Sequence, residues 1–152
     1  MSNWFRKVTA DIGNLPDAID WFEAQLQEAK AEISLRGNVE KNARDLPGII
    51  EHRFNQLQEI EAILEHLNIE LRRLRSNHFK RYLEHYNRAM SSRDAEKYSD
   101  GEPEVLEMQK LINEFALVRN TFQGLIKAID TKNFMISNIT RLRVAGMEDA
   151  SV

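Results

Sequence analysis

Apolar residues recur through most of the chain at alternating steps of three and four, the spacing that lays side chains along one stripe of an α-helix and, when sustained, along a coiled-coil seam. Leu15, Ile19, Phe22, Leu26, Ala29 and Ile33 make the first run. It predicts a helix opening at Asn14-Leu15-Pro16, with Pro16 in the first turn and Asp17 and Asp20 at the positive end of the macrodipole. Arg36-Gly37-Asn38 supplies the stop, since Gly and Asn take the left-handed conformation that closes a helix.

A second start is read at Asp45-Leu46-Pro47, with no strong breaker before Ser91-Ser92. That predicts one helix of about 42 residues and about 63 Å, too long for a compact bundle. Leu57, Ile60, Leu64, Leu67, Leu71 and Leu74 carry its seam; His78 takes the next seam position while the apolar set moves to Phe79, Tyr82, Leu83 and Tyr86, as at a stutter. Residues 91–102 read as a connecting loop with at most one helical turn. Pro103 opens a third element whose seam is Met108, Leu111, Phe115, Val118, Phe122, Leu125 and Ile129, continued by Phe134, Ile136, Ile139 and Leu142. Arg141, Arg143 and Gly146 end it, and residues 147–152 are a tail.

The fold class is therefore all-α: long amphipathic helices forming a helical hairpin, whose seams need partners and find them most simply in other copies of the chain, as a coiled-coil or bundle ring. Six glycines and three prolines in 152 residues agree with long helices. No internal repeat is evident. With no cysteine, disulfides, thiolate nucleophiles and most structural zinc sites are excluded, and a reducing cytoplasm fits. Met1-Ser-Asn-Trp-Phe-Arg-Lys lacks the apolar run of a signal peptide, and no window approaches a membrane span, so neither export nor a membrane is expected.

Catalytic signatures are missing as well. There is no phosphate loop, dinucleotide-binding turn, His-Glu-x-x-His helix or nucleophile elbow. The four histidines lack the Glu-x-x-His pattern of a di-metal helix site, the residues three before them being Ile49, Ile63, Arg75 and Tyr82. In the acidic stretch 94–102, Gly101 stands at the eighth position where a calcium loop needs its glycine at the sixth. No enzyme, cofactor or metal is expected.

Charge changes the picture. The net charge is only −3, but residues 71–93 hold Arg72, Arg73, Arg75, Lys80, Arg81, Arg88 and Arg93 against Glu84 alone, a net of +6 that leaves −9 for the rest. Phe79, Tyr82 and Tyr86 interleave with those cations. Single-stranded nucleic acid is held by cations tracking phosphates and rings on which bases stack, at about 1–3 kcal/mol per stack. The same spacing also suits a buried stripe with a solvated basic back face. The one-sided charge favours the first reading, because +6 concentrates positive potential for no evident folding benefit. Candidate DNA contacts are Arg72, Arg73, Arg75, Lys80, Arg81, Tyr82, Tyr86 and Arg88.

Lys80-Arg-Tyr-Leu-Glu-His-Tyr86, followed by an acidic loop, a long helix and Leu125-Ile-Lys-Ala-Ile-Asp-Thr-Lys-Asn-Phe-Met-Ile-Ser-Asn-Ile-Thr-Arg141, resembles the UvsY-like phage recombination mediator family over residues 38–146. Family members carry a basic-aromatic helix end close to Lys-x-x-Leu-acidic-aromatic-Tyr and a later Arg-Gly-Phe-x-Ile-Lys phrase. This chain departs from them with Tyr82 and His85 in the first phrase and Lys132-Asn133 before Phe134 in the second.

The resemblance implies a homo-oligomer, a hexamer-like ring, that binds single-stranded DNA and loads a RecA-type recombinase onto DNA coated by single-strand-binding protein, in the cytoplasm of a bacterial host if the gene is a phage's. Lys80 matches a family DNA-contact position. The last helix would carry oligomerisation, through Leu111, Phe115, Val118, Phe122, Leu125, Ile129, Phe134 and Ile136. Residues 1–37 are an amphipathic extension without counterpart in the family, residues 38–146 the mediator-like domain. The alternative is a coiled-coil scaffold or adaptor that does not touch nucleic acid.

Overall fold

The computed structural model describes residues 2–85 and 90–146. Among them the chain is all-α, with no strand: α1 (Trp4–Ala10), a 3-10 turn (Ile12–Asn14), α2 (Leu15–Ile33), α3 (Val39–His85), α4 (Ser92–Asp100) and α5 (Pro103–Val144). Tyr86, Arg88 and the tail 147–152 lie outside the described residues.

Three boundaries differ from the sequence reading, each for a local reason. α3 begins at Val39 rather than beside Pro47, because Asn38 caps it: the Asn38 carboxamide oxygen accepts the Lys41 N–H at 3.2 Å, and Asn42 donates to the Arg36 and Asn38 carbonyls. Pro47 is thus inside the helix and contributes no N–H there. The stretch read as a loop contains α4, capped by the Ser91 hydroxyl accepting from Asp94 N–H at 3.2 Å and burying Ala95 and Ser99. α1 was not foreseen. Gly146 closes α5 at φ +78°, where glycine is at ease, but α2 ends before Arg36-Gly37-Asn38, at Ile33 with Ser34 already extended, so Gly37 at φ +76° turns the connection to α3 and does not cap α2.

The chain divides into two compact units, one holding the residues up to Glu59 and from Val118 on, the other Ile60–Leu117. In the first, α2 buries Leu15, Ala18, Ile19, Phe22 and Ala29. Phe22 meets Phe122 of α5 edge-on at 6.0 Å, and the Lys132 ammonium donates to the Glu32 carbonyl at 2.8 Å, so α2 and this part of α5 run in the same direction. Lys132, 5 % exposed, thereby places a cation on the C-terminal end of α2. Arg53 of α3, 1 % exposed, forms a two-pronged bond to Glu32 at 2.7 and 2.9 Å and also reaches Gln25 and Gln56 at 3.0 Å each. The Glu59 carboxylate takes the Ser2 hydroxyl and, at 3.0 Å, the Phe5 N–H, tying down α1. α1 and α2 are therefore built into this unit's core, through Val8 and the buried face of α2.

In the second unit the end of α3 and the start of α5 run antiparallel: Arg75 reaches Gln109, His78 reaches Glu104 and Arg81 reaches Glu102. Ile60, Ile63, Leu64, Leu67 and Leu71 of α3 and Val105, Met108, Ile112 and Phe115 of α5 are buried. The α3 seam does not slip at His78. The ring is buried, Tyr82 follows it half-buried, and Leu83 is exposed, so the three-four spacing passes through a polar residue.

Candidate nucleic-acid interface

The candidate contacts lie on the last turns of α3. Four of their cations already hold carboxylates. Arg72 and Arg73, both exposed, pair with Glu65 and Glu70 of the same helix. Arg75 sets its Nε 3.1 Å from an Asp100 oxygen and donates through Nη2 to Gln109 at 3.3 Å. Arg81 donates to Glu102 at 3.1 Å and to His78 Nδ1 at 2.9 Å. Because arginine can only donate, Nδ1 must accept, which puts the imidazole proton on Nε2, where Glu104 accepts it at 3.2 Å. Lys80 is exposed and makes no hydrogen bond or ion pair among the described residues.

Tyr82 is half-buried. Its hydroxyl donates to the same Glu102 oxygen that Arg81 uses, and its ring lies 5.6 Å from that of Tyr98 at 31°. Phe79 is also half-buried, beside Arg75 and Ser76 at a shallow groove closed by Glu96, Ser99 and Asp100 of α4. The aromatics are thus neither fully core nor free platforms. Tyr86 and Arg88 fall on residues outside the description.

Glu102 is the centre of this cluster, and the sequence reading did not single it out. The Tyr82 hydroxyl bond and the Arg81 guanidinium hold its carboxyl below the ordinary glutamate range, against partial burial, which works the other way; His78 adds to the lowering only when its ring is protonated. Two signals point to it. Residues 94–107 carry Asp94, Glu96, Asp100, Glu102, Glu104 and Glu107 against Lys97, a net of −5 directly after the basic stretch. Asp100, Glu102 and Glu104 then recur at steps of two across the α4–α5 junction, matching Arg75, His78 and Arg81 on α3. The basic stretch therefore has a folding partner, which corrects the view that its charge lacks one.

The oligomerisation set is also placed. Phe115, Val118, Phe122, Leu125, Ile129 and Ile136 are buried inside one chain and Leu111 is half-buried, so this seam is not the open stripe that the sequence pattern suggested. Phe134 alone of the set is exposed, at 69 %. Other large apolar residues exposed in the first unit are Phe5, Phe54, Met135, Leu142 and Val144.

Among the described residues no three His, Asp or Glu side chains are grouped to hold a metal ion, and no helix is long and apolar enough to cross a membrane. No protein-family model matches the chain, nor does any curated protein or solved structure.

Proposed function

We propose that this chain is a recombination mediator, a homo-oligomer that binds single-stranded DNA and helps load a RecA-type recombinase onto DNA coated by single-strand-binding protein. One observation carries the reading: Lys80 and Arg81 stand beside the half-exposed rings of Phe79 and Tyr82 on the last turns of α3, with Arg72 and Arg73 exposed on the preceding turns. Cations that reach phosphates and rings that accept bases are what sequence-tolerant single-strand binding requires. The resemblance of residues 38–146 to the UvsY-like family gives that chemistry its setting in the bacterial cytoplasm.

Copies meet, in this reading, through exposed apolar residues of the first unit, Phe54, Phe134, Met135, Leu142 and Val144. A ring multiplies modest contacts per copy into tight overall binding. No step needs catalysis; differences in binding free energy move the DNA from one protein to the next.

A second reading, a helical adaptor without nucleic acid, is favoured by the ion pairs that already engage Arg72, Arg73, Arg75 and Arg81. The mass of the assembly, measured with and without a single-stranded oligonucleotide, separates the two. The mediator reading expects an oligomer that takes up the oligonucleotide and speeds recombinase filament formation on coated DNA. An assembly whose mass and recombinase kinetics ignore the oligonucleotide belongs to the adaptor.

A further inference from the structure

The side chains offered to DNA are covered by groups with the chemistry of DNA. A phosphodiester presents anionic oxygens to arginine, and so do Asp100 to Arg75 and Glu102 to Arg81. A base would present a flat ring to Tyr82, and Tyr98 does so, 5.6 Å away and tilted by only 31°. Glu102 also takes the Tyr82 hydroxyl. Charge, ring and hydrogen bond come from one short stretch, residues 94–107, whose −5 nearly balances the +6 of residues 71–93.

We propose that residues 94–107 are a built-in competitor: single-stranded DNA and this acidic segment hold the same side chains of α3 and exclude one another. The inference rests on the single-strand reading above and adds its regulation. Lys80, exposed and without a partner among the described residues, is the cation on which a strand can land before anything is displaced. The strand then trades phosphate for carboxylate at Arg81 and Arg75, and base for ring at Tyr82. The pairs are suited to exchange. Arg75 and Asp100 are each about half exposed, as is Arg81, while Glu102 is only 16 % exposed, so solvent and salt weaken the Arg75 pair most and reach the Arg81 pair from the arginine's side. The competitor sets a threshold: weak or scattered anions fail to open the segment, while a strand engaging several copies at once succeeds.

The test compares the full chain with Asp100→Asn/Glu102→Gln, and with a charge-matched control, Glu61→Gln/Glu114→Gln, whose acids lie in the same unit, outside residues 94–107, and pair with none of the α3 cations among the described residues. The probe is a labelled oligothymidylate, titrated at fixed salt. Losing two pairs whose arginines are about half exposed should tighten binding about fivefold, and the control should move it less than about twofold, since it changes only general repulsion. If the chain binds the oligonucleotide and Lys80→Ala weakens it, yet Asp100→Asn/Glu102→Gln tightens binding no more than the control, the competitor is overturned and the single-strand reading stands. If neither the parent nor the double variant binds, the single-strand reading itself fails.

Hydrogen exchange on the unaltered protein guards against a variant that merely loosens the fold. Adding the oligonucleotide should speed exchange across residues 94–107 while slowing it across the end of α3; slowing in both would overturn the proposal.

Discussion

Arg53 and Arg81 lie on the same helix, and each holds a glutamate from elsewhere in the chain, yet they have almost nothing else in common. Arg53 is sealed, with both prongs on Glu32 and its remaining reach spent on Gln25 and Gln56. Arg81 is more than half exposed and shares one oxygen of Glu102 with the Tyr82 hydroxyl. In the first unit a charge is used as a packing element that cannot be withdrawn without stranding its partner. In the second, charge is held at the surface, where water, salt or another anion can take its place. The contrast separates an arginine that packing has committed from one that solvent still reaches.

The contrast can be broken most violently at the N-terminus. Deleting residues 1–37 removes Val8, Leu15, Ala18, Ile19, Phe22 and Ala29 from the core together with Glu32 from Arg53. The truncated chain should lose the cooperative unfolding of the first unit, seen by circular dichroism on heating. A truncated chain that melts like the parent would show that α2 is an ornament after all.

Glu32→Ala is the next largest. It leaves Arg53 buried with only the neutral oxygens of Gln25 and Gln56, and should lower stability by about 3 kcal/mol in urea titration. That deficit should persist at high salt, since ions do not reach the site. Arg75→Ala in the second unit should cost only about 0.2–1 kcal/mol, and that difference should fade at molar salt. Equal salt sensitivity of the two variants would erase the distinction between the units.

The smallest effect is set by pH. Because the folded state holds the Glu102 carboxyl below its ordinary range, the ionised form is favoured by folding. Its contribution is fully present above the ordinary glutamate pKa and is lost as pH falls through the lowered one. The second unit should therefore weaken at acid pH, and Glu102→Gln should flatten that part of the stability–pH curve while leaving the neutral side nearly parallel to the parent. An unchanged acid limb in Glu102→Gln would remove Glu102 from the account.

Most of the helical frame was legible because its signal is repeated many times: α2 and α5 follow from seams such as Leu15 to Ile33 and Met108 to Ile129. What was missed rests on single residues. Asn38 moved the start of α3, and Ser91 with Asp94 three residues on is a capping signature inside an otherwise polar stretch, so α4 was available to a closer reading.

The seam of α5 suggests a stripe open to other copies because periodicity states that a face is covered and not by what; Phe22 on Phe122 answers that from within the chain. Arg53 and Lys132 could not be recognised as buried, since a lone charge in a polar run looks solvated until its partner is placed against it. The candidate site was half visible. Its cations and rings stand together in sequence, while the carboxylates that hold Arg75 and Arg81 come from the last residue of α4 and just beyond it.

The central claim, that the end of α3 binds single-stranded DNA, is tested most directly by the salt dependence of oligonucleotide affinity in the parent and in Lys80→Ala/Arg81→Ala. Each phosphate contact contributes about −0.7 to the slope of log affinity against log salt. The double variant should form the same oligomer, bind more weakly and show a shallower slope, whereas Tyr82→Ala should weaken binding with the slope nearly unchanged, because stacking releases few ions. A Lys80→Ala/Arg81→Ala oligomer that matches the parent in affinity and slope across the salt range would contradict the claim.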